Sequence, residues 1–130
     1  MINIWAVLVA GVAYYILGFL WYSPFLFGKA WMKSLGKTQD ELSFGPKELI
    51  GSIIVALIIP LIVAFILELI CTWDLIIAVL VSILVFVVMA CIMLNSYLYG
   101  GMNIKTFLIN SGYQICGLLL IGLIIGLWKL

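Results

Sequence analysis

The sequence predicts an all-α membrane protein with four transmembrane helices in a single domain that covers residues 1–130. Composition is the first observation: hydrophobic residues make up 68% of the 130 residues and charged residues only 8%, whereas a soluble domain carries about 25% charged residues. The second is that the apolar residues fall into four long stretches. The third is that these stretches are continuously apolar, which favours helices over the alternating strands of a barrel. These observations exclude a soluble enzyme or binding module.

Each of the four stretches reaches the length that a helix needs to cross a bilayer core, about 20 residues. The first ends at Ser23-Pro24, and the second begins near Pro46, whose fixed φ suits a first helical turn. The third stops before Gly100-Gly101. The first stretch has no Lys or Arg before it and no clear cleavage site after it, so we interpret it as an anchor rather than a signal peptide. The predicted spans are 2–22, 46–70, 75–98 and 104–128.

The lysines lie mostly on one side of the predicted membrane. Three of them precede the second span and Lys47 lies at its start, Lys105 lies between the third and fourth spans on the same side, and only Lys129 lies on the opposite side. The positive-inside rule then makes both lysine-bearing connections cytoplasmic and places both termini outside. Insertion in both orientations stays open for so small a protein. The tryptophans fall at or beside the span ends, as interfacial residues do: Trp5, Trp21, Trp31, Trp73 and Trp128.

The connection 23–45 is the only one with room for structure of its own. Three lysines recur every four residues from Lys29, and apolar Trp31 and Met32 fall on the other helical face. This pattern predicts a short amphipathic helix in the inner membrane interface. Residues 38–41 match a capping box for the chain that follows. Two interpretations stay open, a plain connector on the membrane surface and an element that docks a partner or gates a site.

Polar side chains cluster in the third and fourth predicted spans. Asn110 and Gln114 are four residues apart and share a helical face, with Tyr113 beside them. Asn95 and Asn110 differ in depth by about 4 Å when counted from the turn between the two spans. We therefore predict that they hydrogen-bond across the hairpin. The cluster of Asn95, Asn110, Tyr113 and Gln114 is either helix–helix glue or part of a substrate or ion pathway.

Glu68 and Pro60 interrupt the apolar second span. Glu68 falls in its last turns near the outer interface, so it is a candidate outer-side acidic site. Its carboxylate is either solvated at the interface or coupled to a proton or cation. Pro60 removes one backbone hydrogen bond near the middle of the span, and we expect a bend there.

Small residues line several helical faces, a pattern that lets helix backbones approach closely. Such contacts form within one chain or between copies of it. Four helices enclose little internal volume, so we expect part of this surface to bind a second copy of the chain. The residues are Ala6, Ala10, Ala13, Gly11 and Gly18 in the first span and Gly122 and Gly126 in the fourth.

The sequence offers no catalytic or metal-binding motif. It contains no His, which excludes His-based metal sites and catalysis by Ser-His-Asp or Cys-His groups. Cys71, Cys91 and Cys116 lack metal-ligand spacing, and no phosphate-binding glycine loop is present. A net charge of +1 offers no footprint for nucleic acid. We therefore expect a protein that is not an enzyme and has neither cofactor nor metal.

Three motifs carry a resemblance to a known family. They are WYSPFLFGKAWM (Trp21–Met32), GKTQDEL (Gly36–Leu42) and LINSGYQ (Leu108–Gln114). Together they resemble the family known as domain of unknown function 1761, and the resemblance covers essentially the whole chain. It implies a small four-helix protein of a prokaryotic inner membrane, and it does not indicate which biochemical activity the protein has.

Three functional hypotheses follow. The first is a small oligomeric membrane protein that binds or moves a small or lipophilic ligand near the polar cluster. The second is an accessory or scaffolding subunit of a larger membrane complex. The third is a proton-coupled exporter like the small multidrug-resistance proteins, which ranks last because the first span lacks an acidic residue.

Overall fold

The computed structural model describes residues 3–23, 25–36, 46–70 and 74–128, which form helices and their connections. Five helices follow one another: α1 (Ile4–Trp21), α2 (Gly28–Leu35), α3 (Pro46–Leu69), α4 (Leu75–Tyr99) and α5 (Ile104–Leu127). All except α2 are long and apolar enough to cross a membrane. This confirms the predicted all-helical chain with four candidate membrane spans.

Side-chain caps and a proline determine where the four long helices begin. Asn3 Oδ1 accepts hydrogen bonds from the backbone N–H groups two and three residues later, at 3.0 and 3.2 Å. Asp74 caps α4 in the same way, and Asn103 caps α5. These bonds satisfy N–H groups that have no partner inside the helix. Pro46 begins α3, where its missing N–H costs nothing.

The central helix of the bundle is α5, which packs against each of the other four helices. The core between the helices is apolar, and its largest fully buried side chains include Val63, Leu67, Leu118, Ile121 and Ile125. The outward faces remain apolar and exposed, since only 17% of the most apolar stretch of α4 is buried and only 33% of that of α5. So much exposed apolar surface suits hydrocarbon rather than water.

The contact between α4 and α5, here called the α4–α5 seam, is a close approach of two backbones. A Cβ atom on Gly126 would lie 2.8 Å from Cα of Leu75, and one on Gly122 would lie 2.6 Å from Oγ of Ser82. The Ser82 hydroxyl is fully buried and has no hydrogen-bond partner among the described residues. The two glycines are therefore used for packing within the chain.

The small residues of α1 are also largely buried within the chain. Ala6 and Ala10 are fully buried, and a Cβ atom on Gly11 would lie 2.8 Å from the backbone oxygen of Ala56 in α3. Close intrachain packing thus accounts for most of the small-residue faces that motivated self-association. Self-association stays a prediction, but most of these small residues do not support it, because they are used for packing within the chain.

The observed helix bounds lie within two residues of the predicted ones. A helix over Gly28–Leu35 is present in the connection, with Lys29 and Lys33 exposed, while its location in a membrane interface stays a prediction. Pro60 is buried inside α3, which continues through it as one helix. Several positions singled out in the sequence lie outside the described residues: Lys37, residues 38–41, Cys71, Trp73 and Lys129.

Candidate functional site

Hydrogen bonds between large side chains join α1 to α5, and this contact is here called the α1–α5 seam. The Tyr14 hydroxyl donates to Oε1 of Gln114 at 2.7 Å. The Tyr22 hydroxyl, just beyond the end of α1, donates to Oδ1 of Asn110 at 2.7 Å. Both amide oxygens in α5 are thus partnered by tyrosines, as buried polar groups in an apolar environment require.

Two further bonds in the seam end on backbone oxygens. The Tyr113 hydroxyl donates to the backbone oxygen of Tyr14 at 3.0 Å, and Nε1 of Trp21 donates to the backbone oxygen of Ile109 at 3.0 Å. A helix carbonyl already accepts one bond but has a second lone pair for such a donor. The α1–α5 seam therefore contains four side-chain hydrogen bonds between the two helices.

Glycines make room for these side chains. A Cβ atom on Gly18 would lie 2.7 Å from the Tyr113 hydroxyl oxygen, and one on Gly117 would lie 2.6 Å from Cε2 of Tyr14. Each glycine thus leaves space for a tyrosine ring of the facing helix. The rings of Tyr14 and Tyr113 lie 5.0 Å apart between centroids, within the range of favourable aromatic pairs. In this seam the glycines face aromatic side chains, whereas in the α4–α5 seam Gly126 faces the backbone of Leu75 and Gly122 faces the small side chain of Ser82.

The short helix α2 packs across one end of the seam. The ring of Trp31 meets that of Tyr22 edge-on at a centroid distance of 5.0 Å, and the hydroxyls of Ser34 and Thr106 are hydrogen-bonded at 2.5 Å. Gly36 ends the helix in the left-handed conformation (φ 69°), which costs glycine little. We call this end of the bundle the lysine-bearing end, because it carries four exposed lysines: Lys29, Lys33, Lys47 and Lys105.

A cavity of about 870 Å³ lies beside the seam, at the lysine-bearing end. Its walls come from α1, α2, α3 and α5, and along α3 it extends from Glu48 to Ala56. Eight residues of helix correspond to about 12 Å. Polar groups on its walls include Gln114 and Ser52 as well as tyrosine hydroxyls. Val55 and Phe19 line the cavity yet are 50% and 75% exposed, so it opens between α1 and α3.

The structure brings together three of the four residues of the predicted polar cluster. Asn110, Tyr113 and Gln114 all belong to the α1–α5 seam. Asn95 does not join them: it is exposed on α4, and no hydrogen bond joins it to Asn110 in the described part of the chain. The predicted Asn95–Asn110 bond fails because depth along the hairpin says nothing about rotation, and α5 turns its amides toward α1.

Glu68 lies one residue before the end of α3 and is partly exposed. It has an interaction partner in the structure. The described residues contain no group of three or more His, Cys, Asp or Glu side chains that could hold a metal ion. The candidate outer-side acidic site at Glu68 stays a prediction.

Sequence reasoning missed Tyr14, Tyr22 and the bond made by Trp21. A signal was present, because Tyr14, Gly18 and Tyr22 are spaced by four and share one face of α1. That face has the same four-residue repeat as Asn110 and Gln114 in α5. Matching a face of hydroxyl donors to a face of amide acceptors would have paired the first and fourth spans.

Comparison with curated proteins finds no match, and comparison with solved structures finds none either. Comparison with protein families finds one described as protein of unknown function (DUF1761), which matches residues 5–126. The match includes all five helices but for the first residue of α1 and the last of α5. The chain therefore belongs to the DUF1761 family.

Proposed function

We propose that this protein binds a small lipophilic ligand in the cavity between α1, α3 and α5. The observation that carries the proposal is the cavity itself, about 870 Å³ with Tyr14, Gln114 and Ser52 on otherwise largely apolar walls. Binding sites for small molecules are typically concave and mostly apolar, with a few placed polar groups, and measure about 300–1,000 Å³. The α1–α5 seam holds the polar groups in fixed positions, which lowers the entropic cost of binding.

The proposed setting is a prokaryotic inner membrane with the lysine-bearing end in the cytoplasm. The support is the exposure of Lys29, Lys33, Lys47 and Lys105 at that end, together with the positive-inside rule. Both chain termini then face outside. In this setting the cavity lies in the cytoplasmic half of the bilayer, and its opening between α1 and α3 faces lipid.

We propose binding or movement of the ligand rather than a reaction. The nucleophilic groups on the described walls are hydroxyls, for example those of Ser23 and Ser52, and the carboxylate of Glu48. The sequence contains no His to activate them, and an unactivated hydroxyl is a weak nucleophile.

Asn95 supports a second role, contact with another membrane protein or a second copy of the chain. It is exposed on α4, one turn before the end of that helix. An amide that faces lipid gains from a hydrogen bond to a neighbouring helix. The self-association or complex partner proposed here therefore uses α4, on the far side of α5 from the α1–α5 seam.

Photolabelling with a neutral lipophilic diazirine tests ligand binding. The protein is reconstituted in lipid nanodiscs, irradiated with increasing amounts of the probe and mapped by peptide mass spectrometry. We expect labelling of Tyr15 and Met32, which line the cavity, to saturate, while labelling of lipid-facing Leu84 (65% exposed) rises linearly. Linear labelling at all of these positions would contradict the proposal.

Two neighbouring residues of α3 provide matched variants. Val55 and Ile54 are each 50% exposed, but only Val55 lines the cavity. Val55→Trp should fill the cavity and abolish the saturable labelling, whereas Ile54→Trp adds the same ring at a position outside the cavity and should leave it unchanged. Equal loss in both variants would show that the labelling does not report on the cavity.

A further inference from the structure

The ligand class can be deduced from the cavity walls, on the basis of the function proposed above. We infer that the cavity takes a lipophilic organic cation, such as a substituted ammonium or phosphonium, held against aromatic faces. Three features of the molecule support this inference: the aromatic residues of the walls, the direction of the tyrosine hydrogen bonds and the placement of charge.

Aromatic side chains from α1, α2 and α5 line the cavity. An aromatic face carries negative potential, and a cation within about 6 Å of a ring centroid is attracted to it, more strongly when water is excluded. Rings that surround one space add their potentials at its centre. The aromatic residues that line the cavity are Tyr14, Tyr15, Phe19, Tyr22, Trp31 and Tyr113.

Three of the tyrosines that line the cavity use their hydroxyl protons in the α1–α5 seam. Tyr113 must be the donor in its bond, because its acceptor is the backbone oxygen of Tyr14. Tyr14 and Tyr22 donate to the amide oxygens of Gln114 and Asn110. Each hydroxyl has one proton and two lone pairs, so the protons are used within the seam. Lone pairs of the hydroxyl oxygens are left, and these favour a positively charged guest.

The formal charge on the described walls is negative, as is the potential of the aromatic faces. Glu48 lies on the wall near the lysine-bearing end, and no Lys is among the described residues that line the cavity. Glu48 also interacts within the chain, so the aromatic faces carry most of the argument and its charge adds to them. Glu48 and the four lysines of that end are all exposed, so water and salt screen their charges and the inference depends on the aromatic faces.

The opening of the cavity indicates that the cation is lipophilic. Phe19, Leu49 and Val55 line the cavity and are 75%, 51% and 50% exposed. In the proposed membrane setting these side chains border the lipid between α1 and α3. A guest that arrives from lipid needs apolar substituents around its charge, and those substituents match the apolar part of the walls.

A pair of ions with the same shape and opposite charge tests the inference. Tetraphenylphosphonium and tetraphenylborate are each dialysed against nanodiscs with and without the protein, and binding to empty nanodiscs is subtracted. We expect saturable binding of tetraphenylphosphonium at one site per chain and no saturable binding of tetraphenylborate. Equal binding of the two ions, or none of either, would overturn the inference.

Variants of Tyr15, which lines the cavity, test the role of the rings. Tyr15→Leu removes an aromatic face and should weaken tetraphenylphosphonium binding about tenfold, while Tyr15→Phe keeps the face and should weaken it much less. Tyr99→Leu removes an 88% exposed ring from α4 that does not line the cavity, and it serves as the control. Unchanged binding in Tyr15→Leu, or equal loss in Tyr99→Leu, would overturn the aromatic account.

Failure of the inference and failure of the proposed function give different results. If the neutral diazirine labels the cavity saturably but tetraphenylphosphonium has no advantage over tetraphenylborate, the cavity binds ligands without selecting cations. If neither the diazirine nor tetraphenylphosphonium shows a saturable component, both the proposed function and the inference are wrong.

Discussion

Helix α5 packs against α4 and against α1 in opposite ways. In the α4–α5 seam glycines bring two backbones together, as where Gly126 faces Cα of Leu75. In the α1–α5 seam large aromatic side chains fill the space between helices and hydrogen-bond across it. The first arrangement brings backbones into contact, and the second holds them apart and borders a cavity. We therefore expect stability to depend mainly on the α4–α5 seam, and the proposed ligand binding to depend on the α1–α5 seam.

The polar groups of the α1–α5 seam are ordered by their own partners. A buried amide without a partner costs about 1–3 kcal/mol, so Asn110 and Gln114 favour the one arrangement in which both tyrosines reach them. A bound ligand then meets a preorganised wall rather than side chains that it must first order. The same bonds therefore serve as helix–helix glue and as support for the cavity.

The largest expected effect breaks the α4–α5 seam. Gly126→Leu places a side chain against the backbone of Leu75, where even a Cβ atom would lie 2.8 Å from Cα. We expect the free energy of unfolding to fall by about 3 kcal/mol, measured by detergent denaturation and tryptophan fluorescence. Gly51→Leu is the matched control, because a Cβ atom on Gly51 has nothing within 4 Å. A similar loss in both variants would mean that close packing at Gly126 is not the cause.

A smaller effect separates the amides that belong to the α1–α5 seam from the one that does not. Asn110→Leu leaves the Tyr22 hydroxyl without its acceptor and should cost about 1 kcal/mol. Asn95→Leu removes an exposed amide and should cost nothing within the monomer. The same denaturation assay compares them. An equal cost for the two variants would favour the Asn95–Asn110 pairing and contradict the seam.

A double-mutant cycle measures the Tyr22–Asn110 bond alone. Tyr22→Phe and Asn110→Leu are combined, and the non-additive part of the change in unfolding free energy is the coupling between the two side chains. We expect about 0.6 kcal/mol, the usual size for such bonds in membrane proteins. Strict additivity would mean that the bond, 2.7 Å long in the structure, contributes nothing to stability.

The smallest expected effect lies in the α4–α5 seam, at Ser82. Its buried hydroxyl has no partner among the described residues, so Ser82→Ala removes a polar group that makes no hydrogen bond there. We expect a change within about 0.5 kcal/mol, neutral or stabilising. A loss above about 1 kcal/mol would show that the hydroxyl has a partner, and that this seam too contains a polar bond.

The fold could be predicted from the sequence further than the site could. Span lengths and breakers such as Pro46 and Gly100 are local properties, and they located the helices to within two residues. The partner of Asn110 is not local, because it depends on how α5 rotates about its axis. That rotation follows from several contacts acting together, among them Gly117 against Tyr14 and Gly126 against Leu75. Depth along the helices suggested Asn95 as the partner of Asn110. The rotation of α5 instead turns Asn110 toward α1, and Asn95 stays exposed on α4.

The size of the cavity was also beyond sequence reasoning. It depends on the distance between α1 and α3 beyond their contact at Gly11 and Ala56, and on the position of α2 at the lysine-bearing end. Trp31 could be recognised as an interfacial residue from its place in the sequence, but its role as a wall of the cavity required the neighbouring helices.

The proposed cation site is best tested by a crystal structure of the protein grown from lipid bicelles in the presence of tetraphenylphosphonium. We expect density for the cation between Tyr15 and Ser52, with the cavity open and the hydrogen bonds from Tyr14 to Gln114 and from Tyr22 to Asn110 intact. A structure in which α1 and α3 close on each other and their side chains fill this space would contradict it.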